Sequence, residues 1–308
     1  MKRSILLALC AMLSAFSARA NNEPLINLGL TSFLDGAPPA GPGFYFTEYL
    51  LYYHADRFTD KDGHGQQIPT TSSGLASPKL DIFVSLNQLI YQSNQKVFLG
   101  GKWGVDFILP VVNFDLDPKN LVITDNGAGI GDLVIGPYLQ WDPIMGPKGP
   151  VFVHRVEFQC ITPTGRYNKD QTLNPGSNFF SFNPYWAATW FPTPKCELSW
   201  RIHYLWNDKS DDTKFQPGQA VHLNFASSYE LIAKRLRVGI NGYYLKQFTD
   251  TQVNGVNQPG RDQVFALGPG LLYSFSQNDH LFFNAYYEMA AESRTEGQAC
   301  LLRWVHHF

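Results

Sequence analysis

After its first twenty residues, the 308-residue sequence lacks any apolar run near the roughly 20 residues that a helix needs to cross a bilayer. A helical membrane protein is thereby excluded. Charge of one sign is lacking too. Lys and Arg number 24 against 26 Asp and Glu, for a formal charge of −2. No basic stripe offers phosphates a footprint, so nucleic acid is not an expected partner. Cysteine is scarce: beyond Cys10 there are only Cys160, Cys196 and Cys300, an odd number without C-x-x-C spacing. Neither a disulfide framework nor a zinc site is indicated, and packing is their expected role.

What is present points toward export. Lys2 and Arg3 precede an apolar run from Ile5 to Phe16, which ends in Ala18-Arg19-Ala20. That is the plan of a secretory signal peptide over residues 1–20, cleaved after Ala20. Cys10 follows Leu9, where lipid attachment wants a small residue, and reads as signal core. Aromatic residues make up 15% of the chain, with 26 glycines and 20 prolines. Such a mixture of strand and turn formers fits a secreted β-protein or an outer-membrane barrel, whose alternating faces average to a bland hydropathy.

Beyond a Pro/Gly-rich leader at 21–42, side chains alternate in polarity over about twelve segments, the period of a strand. Strands are expected near 43–54, 79–92, 97–112, 129–141, 150–162, 178–191, 196–206, 218–231, 235–248, 262–276, 280–291 and 297–308. In one of them Leu198, Trp200, Ile202, Tyr204 and Trp206 point one way, and Glu197, Ser199, Arg201 and His203 the other. Phe152, His154, Val156 and Phe158 oppose Val153, Arg155, Glu157 and Gln159 in the same manner, and Leu80, Ile82, Val84 and Leu86 oppose Asp81, Ser85 and Asn87. The polar set is expected to face inward.

Link lengths alternate as well. Ser93–Lys96, Asp142–Gly149, Pro192–Lys195, Ile232–Lys234 and Gln277–Asp279 are short, whereas 55–78, 113–128, 163–177, 207–217 and 249–261 are long and polar. Short periplasmic turns opposite long external loops, on an even number of strands, mark outer-membrane barrels. The chain ends on Phe308, in phase with Leu302 and Trp304, as an assembly signal for the barrel-assembly machinery would. The expected fold is an all-β transmembrane antiparallel barrel of about 12 strands over 43–308, in the bacterial outer membrane. Its other partners are outer-membrane lipid and lipopolysaccharide.

Five stretches then resemble one family. They are Pro38-Pro39-Ala40-Gly41-Pro42-Gly43-Phe44-Tyr45 with Tyr49, Gly129-Ile130-Gly131-Asp132-Leu133 running to Gly136-Pro137, Thr162-Pro163-Thr164-Gly165-Arg166-Tyr167, Asn174-Pro175-Gly176-Ser177-Asn178, and Gly268-Pro269-Gly270 after Tyr243-Tyr244-Leu245-Lys246-Gln247. In content and order they are similar to the meta-pathway phenol degradation family of outer-membrane barrels. The resemblance implies passive movement of hydrophobic or aromatic compounds across the outer membrane.

Alternation places Glu48, Lys102, Asp106, Asp132, Arg155, Glu157, Arg201, His203, Glu230 and Arg303 on the lumen side, where they either line a passage or pair to fill the interior. Phe179, Phe180, Phe182 and Phe215 lie near loop–strand junctions as candidate ligand contacts or interfacial anchors. Gly129, Gly131 and Asp132 lack the strand–turn–helix setting of a phosphate loop and read as a bend. Asp60, Asp62 and Gly63 lack the further ligands of a calcium loop. No catalytic residue, cofactor or metal is expected. The leader, with Leu25, Ile26, Leu28, Leu30, Phe33 and Leu34, is a hatch at the periplasmic mouth or a tether. Rival readings are a lipid-acting enzyme, for which Ser177 is the best nucleophile, an adhesive surface barrel, and a secreted β-sandwich.

Overall fold

A computed structural model describes residues 24–38 and 41–308; the expected signal peptide lies outside the described residues. Twelve long strands succeed one another: β1 (Gly43–Phe58), β2 (Lys79–Lys96), β3 (Lys102–Asp117), β4 (Val134–Gln140), β5 (Gly149–Ile161), β6 (Ser181–Thr193), β7 (Cys196–Asn207), β8 (Ala220–Ile232), β9 (Leu236–Gln247), β10 (Gln263–Ser274), β11 (Asp279–Glu292) and β12 (Thr295–His307). Each pairs antiparallel with the next, and β12 returns to β1, from Tyr45↔His307 to Phe58↔Thr295. The sheet is closed, so no long edge is left to pair elsewhere.

Alternation sorts the two faces. On β7, Glu197, Ser199, Arg201 and His203 are buried, whereas Leu198, Ile202 and Tyr204 are exposed. Phe83, Leu109, Trp186, Ile240, Phe283 and Trp304 continue the exposed apolar band around the barrel. A face this apolar is built for lipid.

β1 and β2 depart from the expected facing. Leu80, Val84 and Leu86 are buried inside, and Val84 and Leu86 pack in one cluster with Leu30, against which Leu25 also rests. Asp81, Ser85 and Asn87 therefore point outward. So does Glu48, which was expected in the lumen but shares its parity with exposed Leu50 and Tyr52, opposite buried Thr47 and Tyr49. The reason is the leader: it carries apolar side chains into the lumen, and the wall it touches must be apolar. The displaced polar groups satisfy one another outside. Ser85 Oγ donates to Glu48 Oε1 (2.7 Å), Asn87 Nδ2 to Ser85 Oγ (3.2 Å) and Tyr52 to Asp81 (2.6 Å).

At one end the links are short, as in Pro194-Lys195 and Ala233–Arg235. At the other, 59–78, 118–133, 162–180, 208–219 and 248–262 are long. The alternation fails once, because β11 and β12 are joined at the long-loop end by Ser293 and Arg294 alone. The first loop folds over this hairpin, with Thr59 N bonded to Arg294 O and Ser293 N to Asp60 O, both at 2.8 Å.

The strand expected at 129–141 is also divided. Ala128–Ile130 pairs separately with β3, and β4 begins at Val134. Between them, Asp132 Oδ1 accepts the Gly165 amide (2.8 Å), while Oδ2 accepts the Ser177 amide (2.7 Å) and hydroxyl (2.5 Å). A Cβ on Gly165 would lie 2.7 Å from both Gly131 and Gly176, so this crossing requires glycine. Three of the five family-like stretches thus meet at one latch. Asp132 holds loop backbone and does not line the passage.

Each of these bonds involves a charged acceptor, so Asp132→Ala is expected to cost about 3 kcal/mol. The temperature at which the folded band converts to the unfolded one on a denaturing gel should fall; an unchanged midpoint would refute the latch.

Candidate functional site

The barrel interior is occupied by the leader. Its upper part lies near the long-loop end, where Leu25, Ile26 and Leu28 face Leu51, Leu80 and Phe114 across a cavity of about 250 Å³. Its lower part reaches the short-turn end, where Asp35 and Pro38 border a second cavity of about 270 Å³. A gap of about 40 Å³, beside Leu30 and Tyr49, shares lining residues with both.

Strand side chains hold the leader by its backbone. Asn224 Oδ1 accepts the Gly29 amide (2.7 Å), and Asn224 Nδ2 donates to the Asn27 carbonyl (2.9 Å). Tyr286 donates to the Gly29 carbonyl (2.8 Å). Gly29 has φ +77°, and a Cβ there would lie 2.8 Å from the Tyr286 ring, so only glycine lets the chain turn against that wall. Lower down, Thr189 Oγ1 accepts the Gly36 amide (2.9 Å) and Gln140 Nε2 donates to the Gly36 carbonyl (3.0 Å). Arg201 grips both carboxylate oxygens of Asp35 (2.8 and 2.7 Å) in a bidentate pair. Phe33 fills the waist with Tyr45, Tyr138, Leu272 and Phe282.

Five predicted lumen residues, Asp106, Arg155, Glu157, Arg201 and His203, gather in one belt. Gln88 Nε2 donates to Asp106 Oδ2 (2.5 Å); Glu157 accepts from Gln159 (2.8 Å) and from Tyr185. The two carboxylates approach across Gly136, where a Cβ would lie 2.4 Å from an oxygen of each. Arg155 lies 4.2 Å over the Tyr138 ring and Arg201 4.1 Å over Tyr185. His203 stacks on His222 with centroids 4.1 Å apart. This is a buried network in which charge is offset by charge, hydrogen bonds and ring faces.

The remaining predicted residues are dispersed. Arg303 is inward on the far wall, over Phe282. Glu230 borders the lower cavity and accepts the Lys234 amide (2.6 Å). Lys102 sits at the short-turn rim, where it and Lys96 donate to Asp142 (2.6 and 3.0 Å) and hold that carboxyl below its usual range. Phe179, Phe180, Phe182 and Phe215 border neither of these two lumen cavities. Phe179 and Phe215 pair under the loops at 6.5 Å, and Phe182 has the outward parity of exposed Trp186. Their loop–strand position bears on wall and loop packing, because the solute-sized space lies deeper.

Asp60, Asp62 and His64 come within 4.8 Å of one another in the first loop. Asp60 Oδ1 already accepts the amides of Asp62 and His64, chiefly the latter, which lowers its pKa. The arrangement is a tight turn. Residues missed by sequence reasoning include Asp35, Asn224, Tyr138 and Tyr185. For the last two, strand parity with Gln140 and with Asn183 carried the signal.

Among known structures, the fold matches an outer membrane channel from Pseudomonas putida F1 with a TM-score of 0.75 at 17% identity, over 92% of this chain and 100% of that one. The β-domain of the Bordetella autotransporter BrkA matches with a TM-score of 0.51 at 11% identity, over 87% and 100%. No curated protein matches in sequence. Residues 55–304 match a family model, and the chain belongs to the family described as "Putative MetA-pathway of phenol degradation".

Proposed function

We propose that this chain is a passive outer-membrane channel for small hydrophobic or aromatic compounds, with its long loops facing outward. The observation that carries the reading is the divided lumen: an apolar cavity at the long-loop end and a second cavity at the short-turn end, separated by a segment held without covalent bonds. The upper cavity offers Leu51, Ile82, Val84 and Phe114 to a ring, with Tyr53, Tyr243 and Glu288 as its polar corner. Apolar walls with a few placed polar groups suit a small ligand. Membership of a family named for phenol degradation agrees with that solute class.

Passage requires the leader to shift, since a gap of about 40 Å³ is far too small for a ring. The segment is both occupant and gate in this reading. Its hold is strongest at Arg201–Asp35, where each side chain is more than nine-tenths buried. Losing one partner there leaves a buried charge uncompensated. Reaction chemistry has no comparable support: the Ser177 hydroxyl is engaged with the Asp132 carboxylate in the loop latch.

Uptake of a labelled hydrophobic aromatic into liposomes carrying the refolded protein should exceed both that of a similarly sized sugar and that into empty liposomes. Equal rates would remove the channel from consideration. Leu51→Asn, which places an amide in the apolar cavity, should slow aromatic uptake several-fold; an unaltered rate would place the solute path elsewhere.

Asp35→Asn and deletion of residues 25–37 should each raise single-channel conductance in planar bilayers, the deletion more. Conductance equal to that of the unmodified chain in both would exclude the leader as a gate.

A further inference from the structure

The lower cavity differs from the upper in charge. It is bordered by Arg155, Arg201, Arg237, Arg303, Lys234 and Arg235, whereas its bordering carboxylates are Asp35 and Glu230 alone. Three of the arginines are engaged. Arg201 holds Asp35, Arg155 Nε donates to Gln140 Oε1 (3.1 Å), and Arg237 donates to Ser228 Oγ (2.9 Å) and the Lys195 carbonyl (3.0 Å).

Arg303 stands apart. It is 6% exposed, its buried Nε has no hydrogen-bond partner, and no carboxylate lies within ion-pair distance of it among the described residues. Its guanidinium rests 3.7 Å over the Phe282 ring and 5.9 Å from that of Tyr49. Ring faces soften a buried cation, but they do not supply the anion that burial calls for. The side chain borders a cavity of about 270 Å³ whose wall also includes Phe33, Phe282 and Tyr45.

We propose that this chamber is a binding site for an aromatic monocarboxylate, with the carboxylate on Arg303 and the ring against Phe282 and its aromatic neighbours. A planar guanidinium fork matches a carboxylate bidentately. Asp35 and Glu230 beside it disfavour a more highly charged anion such as phosphate. Lys234 and Arg235 at the rim raise the local concentration of anions. The inference rests on the channel reading for the meaning of the site, as the lower station of a path whose upper station is apolar. The binding itself is measured without flux.

The test is calorimetric titration of the full chain, folded in detergent micelles, with benzoate, its neutral analogue benzamide, acetate and inorganic phosphate. Benzoate should bind at least tenfold more tightly than each of the other three. Arg303→Gln should weaken benzoate at least tenfold and leave benzamide unchanged, while Arg303→Lys should fall between. As a measurement independent of any variant, benzoate should raise the heat-modification midpoint of the unmodified protein and benzamide should not. Benzoate and benzamide binding alike, phosphate binding as well as benzoate, or full benzoate affinity in Arg303→Gln would each overturn the proposal. Benzoate binding without aromatic flux would sink the channel reading and keep the site; flux with Arg303-independent binding would do the reverse.

Discussion

A sheet immersed in hydrocarbon cannot leave an amide or carbonyl unpaired, and the seam between β1 and β12 is where this chain meets that demand. Once the seam is closed, each strand has one face in lipid and one in a narrow interior, and every side chain is assigned by parity. Charge on the inner face then needs partners, which is why Asp106, Glu157, Arg155 and Arg201 occur with tyrosines and glutamines between them. The lipid-facing band, the buried network and the divided lumen all follow from closing the ring.

The strand plan was legible in the sequence because period-two alternation is a local property. Glu197 to His203 on β7, and Val153 to Gln159 on β5, sit on the face their neighbours dictate. The family-like stretches were legible as motifs but not as a meeting point: Asp132, Gly165 and Ser177 are separated by 33 and 45 residues from Asp132 to its partners, and contact at that range leaves no periodic trace.

What alternation could not reveal is what fills the interior. Polarity marks the inward face only if the lumen is polar, and beside β1 and β2 the leader makes it apolar. Leu80, Val84 and Leu86 therefore turn in, and Glu48, Ser85 and Asn87 turn out. The same blindness hid Asp35, an acid without evident purpose in an apolar tail until Arg201 is seen opposite. Arg303 was placed inward correctly by parity, but its lack of an anion is a property of three surrounding strands and is invisible in one.

The outward trio of Glu48, Ser85 and Asn87 interrupts the apolar band on one side of the barrel only. Carboxylates on a lipid-facing strand are disfavoured in proportion to depth, and a bilayer accommodates a shortened apolar span by thinning or by letting the protein tilt. The hydrocarbon thickness that this barrel asks of its membrane is thus not uniform around its circumference. Beside β1 and β2 the polar trio shortens the apolar span on the outer surface of the same wall whose inner surface carries the leader.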